Sequence, residues 1–132
     1  MSRVFVNPLT ELAEYEELNR DLNRGKGPVQ ISGCMDSQKV HLMWEAGETL
    51  PWKLVVTYDD SRAKEIYEDF RCFTDAVWLY PAKDLLFYNA DIHGNLITRE
   101  RMQVLRHLIE EKSGVVVTTI DGLMDHLLPL SM

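Results

Sequence analysis

Residues 52–58 read WKLVVTY, a short run rich in β-branched and aromatic side chains. Such side chains favour extended backbone, and here the apolar ones fall on both of the faces that alternate along a strand. This composition is typical of a strand that is covered on both sides, as in a parallel sheet. Residues 76–80 (AVWLY) and 115–120 (VVVTTI) are predicted to be further strands, and residues 28–33 (PVQISG) a short strand that precedes them all.

Segments with helical spacing separate these strands. The predicted helices begin near residues of types that cap helix N-termini: Asn7, Asp36 or Ser37, Asp59, Thr98 and Asp121. Their apolar stripes, expected to face the core, comprise Leu12, Tyr15, Leu18 and Leu22, then Val40, Met43 and Trp44, then Ala63, Ile66, Tyr67 and Phe70, and finally Met102, Leu105, Leu108 and Ile109. Strands that alternate with helices predict a three-layer α/β fold, with a mostly parallel sheet and helices on both faces.

Residues 82–96 (AKDLLFYNADIHGNL) show no clear period and are predicted to be a long loop before a helix over residues 98–112. The loop is rich in apolar side chains for a surface segment. Two interpretations remain open: the loop folds over its own domain, or it is a docking edge for a neighbouring domain.

Composition and charge narrow the class of protein. The chain has 132 residues, a length that fits one domain with its own core. The net charge of −7 makes direct nucleic-acid binding unexpected, because an acidic surface repels a phosphate backbone. No apolar run approaches the roughly 20 residues that span a bilayer, and the N-terminus does not resemble a signal peptide. Cys34 and Cys72 lack CxxC spacing and are read as reduced thiols, so we expect a cytoplasmic protein without membrane contact.

Residues 33–40 (GCMDSQKV) stand where a phosphate-binding loop of the form GxxxxGK[ST] would lie, between a strand and a helix. Gly33 and Lys39 match this pattern. Gln38 replaces the glycine that brings the backbone close to phosphates, and Val40 replaces the hydroxyl that binds Mg²⁺. Asp36 adds a negative charge to a loop that should hold a negative ligand. We therefore expect a vestigial loop, without nucleotide, metal or other cofactor.

Other polar residues are weaker candidates. Asp59 and Asp60 follow a strand, as does the acidic pair of a phospho-receiver domain, but helix capping explains them better. Arg99, Arg101 and Arg106 share one predicted helix; we favour a solvated face paired with glutamates over contact with phosphate or an acidic partner. No nucleophile motif is present, so no catalytic residue is predicted. No metal site is predicted from the histidines, which show no ligand spacing: His41, His93, His107 and His126.

Three runs resemble the N-terminal module of bacterial transcription-repair coupling factors. They are residues 80–88 (YPAKDLLFY), 99–108 (RERMQVLRHL) and 115–129 (VVVTTIDGLMDHLLP). The similarity extends over residues 7–129 and is strongest after Trp52. In that family this module resembles the repair protein UvrB in its domain 1a, and keeps the helicase-like fold without the ATPase site. The resemblance implies that residues 1–132 form one α/β subdomain, an excised N-terminal fragment of a much longer multidomain protein.

The resemblance also implies a role. The parent protein would remove stalled RNA polymerase from damaged DNA with an ATP- and Mg-dependent translocase, and recruit UvrA for nucleotide excision repair. The motor, polymerase-binding and main UvrA-binding parts of such proteins lie in other domains. This chain would be a non-catalytic scaffold that contacts neighbouring domains. Only Gly33 and Lys39 carry over, as relics of the ancestral loop.

Two alternatives remain open on sequence grounds. An active P-loop NTPase would need an acidic Mg²⁺ ligand after a later buried strand, and Asp121 is the one candidate, which we read as a helix cap. A stand-alone α/β signalling or docking module would fit the same succession of strands and helices.

Overall fold

The computed structural model describes residues 7–83, 90–125 and 127, and for residues 7, 8 and 90–95 it describes the backbone alone. The chain divides into two compact units, Met1–Thr49 and Leu50–Met132. The first unit contains helices α1 (Asn7–Thr10), α2 (Ala13–Asn23) and α3 (Asp36–Ala46). The second contains β1 (Trp52–Thr57), α4 (Asp60–Arg71), β2 (Val77–Tyr80), α5 (Ala90–Glu110), β3 (Gly114–Thr119) and α6 (Ile120–Met124).

The core of the first unit is a small cluster of Leu9, Tyr15 and Leu42, against which Leu18 packs. The single first helix expected from the sequence is wrong, because a turn separates α1 from α2. In that turn the Leu12 N–H donates to the Leu9 carbonyl at 3.0 Å. The interruption shifts the phase of the apolar stripe, so Leu12 is exposed instead of buried.

The strand predicted over residues 28–33 is also wrong, since these residues form no strand. Pro28 lacks the N–H group that a sheet ladder needs. Gly33 has a φ of +80°, a left-handed conformation that breaks an extended run and suits glycine. A strand also needs a partner, and the described sheet does not include this segment.

The second unit is built on a parallel sheet of three strands in the order β1-β3-β2. From β1 the chain crosses two positions to β2, and from β2 it returns one position to β3. Crossovers between parallel strands are right-handed, so these opposite steps place α4 and α5 on opposite faces of the sheet. The predicted three-layer α/β class, a parallel sheet with helices on both faces, is confirmed.

The face under α4 is the better-packed side. Asp59 accepts a hydrogen bond from the Arg62 N–H at 2.7 Å and so caps α4, as predicted. Buried residues Ala63, Ile66 and Phe70 then recur at helical spacing along α4. β3, the central strand, is buried from residue 115 to residue 119, which agrees with the prediction of a fully covered strand.

The face under α5 holds a second cluster. Tyr80, Val104 and Val116 are its buried members, and Trp52, Trp78 and Leu105 pack against them. The two indole rings lie 5.7 Å apart, centroid to centroid, with Gly114 between their strands. A Cβ atom on Gly114 would overlap the Trp78 ring, so this close approach requires glycine.

The helix before β3 is longer than predicted. It begins at Ala90, so the loop expected over residues 82–96 is wrong for residues 90–96, and residues 84–89 lie outside the described residues. Its buried face is also different, because Arg101 and Val104 are buried while Met102 and Ile109 are exposed. A buried arginine lies on the inner face of this helix, and the spacing of apolar residues in the sequence cannot reveal such a position.

β1 departs from the sequence prediction in burial. Leu54 and Val56, predicted to be covered on both sides of the sheet, are exposed. On that face α5 makes its main sheet contacts with β2, which lies two strand positions from β1. None of the helices in the described ranges is long and apolar enough to cross a membrane.

Glu45 is a buried carboxyl group in α3, and burial raises its pKa above the ordinary 4.5, with a smaller contribution from Glu48. A carboxyl with a raised pKa in the folded state stabilises the fold below its unfolded pKa and loses that contribution as pH rises. We therefore expect Glu45→Gln to raise the free energy of unfolding at pH 7. Urea titrations should show this gain shrinking as pH falls towards 4. A gain that is equal at both pH values would contradict the assignment.

Candidate functional site

Residues 33–40, which match a phosphate loop in part, lead directly into the N-terminus of α3, but the strand expected before them is not formed. Gly33 supplies the turn before the helix, and α3 begins at Asp36. A helix N-terminus after a glycine turn can bind anions, because its first N–H groups lack intrahelical partners. Whether this segment can bind an anion therefore depends on whether its backbone N–H groups and the Lys39 ammonium already have other partners.

Side chains of the loop itself occupy one backbone donor and the cation. The Met35 N–H donates to Gln38 Oε1 at 3.0 Å, so the residue that replaces the loop glycine takes up a backbone donor. Lys39 Nζ lies 3.0 Å from Asp36 Oδ1, in an exposed ion pair. An incoming phosphate would have to displace an amide oxygen and separate the lysine from a carboxylate that also repels it.

The position at which a phosphate loop would have its Mg²⁺-binding hydroxyl is occupied by a buried apolar side chain. Val40 is buried, with 1% of its surface exposed. An isopropyl group offers no oxygen to a cation, and its burial contributes to the stability of the fold instead. The predicted residues Gly33, Gln38, Lys39 and Val40 thus lie together at one helix end, arranged as a capped helix start.

The carboxyl ends of the strands are the second place where an α/β sheet can bind a ligand. Here their polar groups bond to one another. The Thr118 hydroxyl donates to the Tyr80 carbonyl at 2.8 Å. The Gly122 N–H donates to Thr119 Oγ1 at 3.2 Å, which caps α6. Asp121 lies in the first turn of α6 and is not its cap, contrary to the prediction.

Arg101 is the residue that sequence reasoning placed wrongly. Its side chain is only 5% exposed and lies 2.8 Å from Asp125 Oδ2, with a further bond to the Pro81 carbonyl at 2.9 Å. The guanidinium carbon lies 4.3 Å from the centre of the Tyr80 ring. No local signal distinguishes this arginine from its neighbours, because its partner lies 24 residues further along the chain.

The cluster of Arg101, Asp125 and Tyr80 is suited to holding secondary-structure elements together. It is not suited to acid–base chemistry. Burial raises the pKa of the Tyr80 hydroxyl above its ordinary 10.0; Arg101 acts against this and Asp125 with it. The phenol therefore stays protonated at neutral pH. The arginine joins α5 to the end of β2 and to the residues after α6.

The remaining candidates are surface features. Arg106 pairs with Glu110 at 2.9 Å on the exposed side of α5, as predicted for a solvated face. Cys34 is half-buried and Cys72 is exposed, and neither forms a disulfide. The His107 ring stacks on Trp78 with centroids 4.6 Å apart. Within residues 7–83, 90–125 and 127, no three histidine, cysteine or acidic side chains lie close enough together to hold a metal ion.

The second unit is thus an α/β unit with a parallel sheet and helices on both faces, and in the first unit residues 33–40 bond to one another. No protein-family model matches the chain, and no solved structure matches it. The chain is 26% identical over 129 residues to the transcription-repair-coupling factor of Staphylococcus aureus strain USA300, and equally to that of strain NCTC 8325 / PS 47. The protein of strain MRSA252 is 25% identical.

The alignments cover 94% of this chain and 11% of each relative. The chain therefore spans about a tenth of the length of the curated relatives that it matches. The likeness is distant, and it runs along nearly the whole chain instead of through one motif. It agrees with the resemblance that the three runs of sequence indicated.

Proposed function

We propose that this chain is a non-catalytic subdomain of a transcription-repair coupling factor, and that it serves as a scaffold for neighbouring domains. The similarity along 94% of the chain supports the link to that class of protein. Other domains of the same polypeptide would bind RNA polymerase and UvrA and would contain the ATP-driven motor. The site of action would be the cytoplasm.

The observation that carries the non-catalytic part is the ion pair of Lys39 and Asp36, 3.0 Å apart. In a working loop the lysine is held for the terminal phosphates of a nucleotide. Here it is neutralised by its own helix, and Gln38 fills the adjacent backbone donor. Both arrangements are local, because each joins residues three positions apart at the start of α3.

An active NTPase receives less support. It would need a carboxylate free to bind Mg²⁺ near the loop. Asp121, the candidate from sequence, is the second residue of α6. The loop also lacks the hydroxyl ligand, since Val40 is buried.

The cheapest test is the length of the reading frame. A frame that continues for hundreds of codons past Met132 is expected, and a frame that ends there would refute a role as a subdomain.

A functional test uses the complete gene in its own host. Deletion of residues 1–132 should lower repair of the transcribed strand after ultraviolet damage to the rate of the non-transcribed strand. Lys39→Ala, the matched control, should leave strand-specific repair unchanged. Strand preference that survives the deletion would refute the proposal, and its loss in the lysine variant would refute the non-catalytic role.

A further inference from the structure

An apolar strip lies open on β1. Leu54 pairs in register with Val116, and Val56 with Thr118, so these β1 side chains point to the same face as Val116. α5 covers Val116 on that face, through Val104 and Leu105. Leu54 is nevertheless 60% exposed and Val56 43% exposed. The cover that α5 provides therefore leaves Leu54 and Val56 open, whereas Trp52, at the start of the same face of β1, packs against the cluster under α5.

A second apolar strip borders the first. Met102 and Ile109 flank Leu105 at helical spacing and are 61% and 64% exposed. His107 lies on the opposite flank of α5, 140° to 160° away at 100° per residue, and it stacks on Trp78 of β2. The Met102–Ile109 flank therefore faces away from β2, towards β1. We call the surface formed by Leu54, Val56, Met102, Leu105 and Ile109 the β1–α5 groove.

The dimensions of the groove fit one helix. α5 makes its main sheet contacts with β2, and β1 lies two strands away, at about 10 Å for a strand spacing of about 4.8 Å. Packed helices lie about 8–10 Å apart. A helix above β1 would thus sit at packing distance from α5 while it covers Leu54 and Val56. α4 already contacts all three strands on the other face, and among the described helices of the second unit none covers β1 on this face.

We propose that the β1–α5 groove receives an amphipathic helix from a part of the same polypeptide outside residues 1–132, an inference that rests on the proposed function. Parallel sheets are covered on both faces because their strands are apolar on both sides. About nine-tenths of the length of each relative lies outside the region that this chain matches, and that part would supply the covering helix. The floor of the groove carries no charged side chain, so the occupant presents an apolar stripe with residues spaced by three and four positions.

Thiol labelling tests this groove. Leu54→Cys, and Lys64→Cys on the exposed face of α4 as the control, are made in a background with Cys34→Ser and Cys72→Ser. Both variants are compared in the 132-residue chain and in the product of the complete reading frame, with circular dichroism to confirm folding. In the short chain both thiols should react at similar rates. In the long product the thiol at position 54 should react at least about tenfold more slowly, and the thiol at position 64 should not.

Each other outcome overturns the groove. Fast labelling of position 54 in the long product means that nothing covers β1. Equal slowing at both positions means that the protection is not specific to this face. Slow labelling in the short chain, dependent on protein concentration, means that a second copy is the occupant. A reading frame that ends at Met132 would refute the proposed function and the groove together, whereas labelling results refute the groove alone.

Discussion

Phe70→Ala is expected to lower the free energy of unfolding of residues 50–132 by about 4 kcal/mol. Phe70 has no exposed surface and lies at the C-terminal end of α4. Truncation to alanine loses the transfer free energy of the ring and leaves a cavity that rigid strands cannot close. Urea denaturation followed by tryptophan fluorescence measures the change, because Trp52 and Trp78 belong to the same unit.

Leu54→Ala is the control for this experiment. Leu54 is large and apolar but 60% exposed, so its truncation in the 132-residue chain should cost about 0.5 kcal/mol or less. If Phe70→Ala cost no more than Leu54→Ala, the packing of α4 against the sheet would be wrong.

Arg101→Ala should destabilise the same unit by about 3 kcal/mol. The substitution removes a guanidinium that is almost fully buried, and it leaves Asp125 and the Pro81 carbonyl without that donor. Asp125 keeps 24% of its side-chain surface in solvent, which holds the cost near the low end for broken buried pairs. The same denaturation experiment measures the loss.

A double-mutant cycle separates the ion pair from general packing. Arg101→Ala with Asp125→Ala should cost less than the two single changes added together, by about 1–2 kcal/mol. Arg106→Ala is the matched control on the same helix; its pair with Glu110 is exposed, and its loss should cost about 0.5 kcal/mol or less. Additive single changes, or equal costs for the two arginines, would contradict a buried pair.

The fold class could be predicted because its signals are local. The run around Val117 is β-branched at every position from residue 115 to residue 120, which favours a strand, and Asp59 caps α4 as the sequence indicated. Residues 28–33 were wrongly predicted to be a strand, because strand propensity does not supply the partner strand that a sheet needs. The burial of Leu54 and Val56 was predicted wrongly, because the sequence pattern shows which strands are apolar but not which strand lies at the edge of the sheet.

In the candidate site, too, the local features could be predicted from the sequence, whereas those that depend on packing could not. The mismatches of Gln38 and Val40 with a phosphate loop could be read from the sequence, because such a loop has a fixed spacing. The bond from the Met35 N–H to Gln38 and the burial of Val40 could not, since they depend on how α3 begins and packs. Arg101 was missed because charge pairing along one helix is visible in sequence, whereas pairing across 24 residues is not.

Calorimetric titration of Mg-ATP into the 132-residue chain tests the central claim most directly. Lys39 is paired with Asp36 and the loop lacks its Mg²⁺ ligand, so we predict no saturable heat up to millimolar nucleotide, and the same result for Lys39→Ala. Micromolar affinity that disappears in the Lys39→Ala variant would contradict the account.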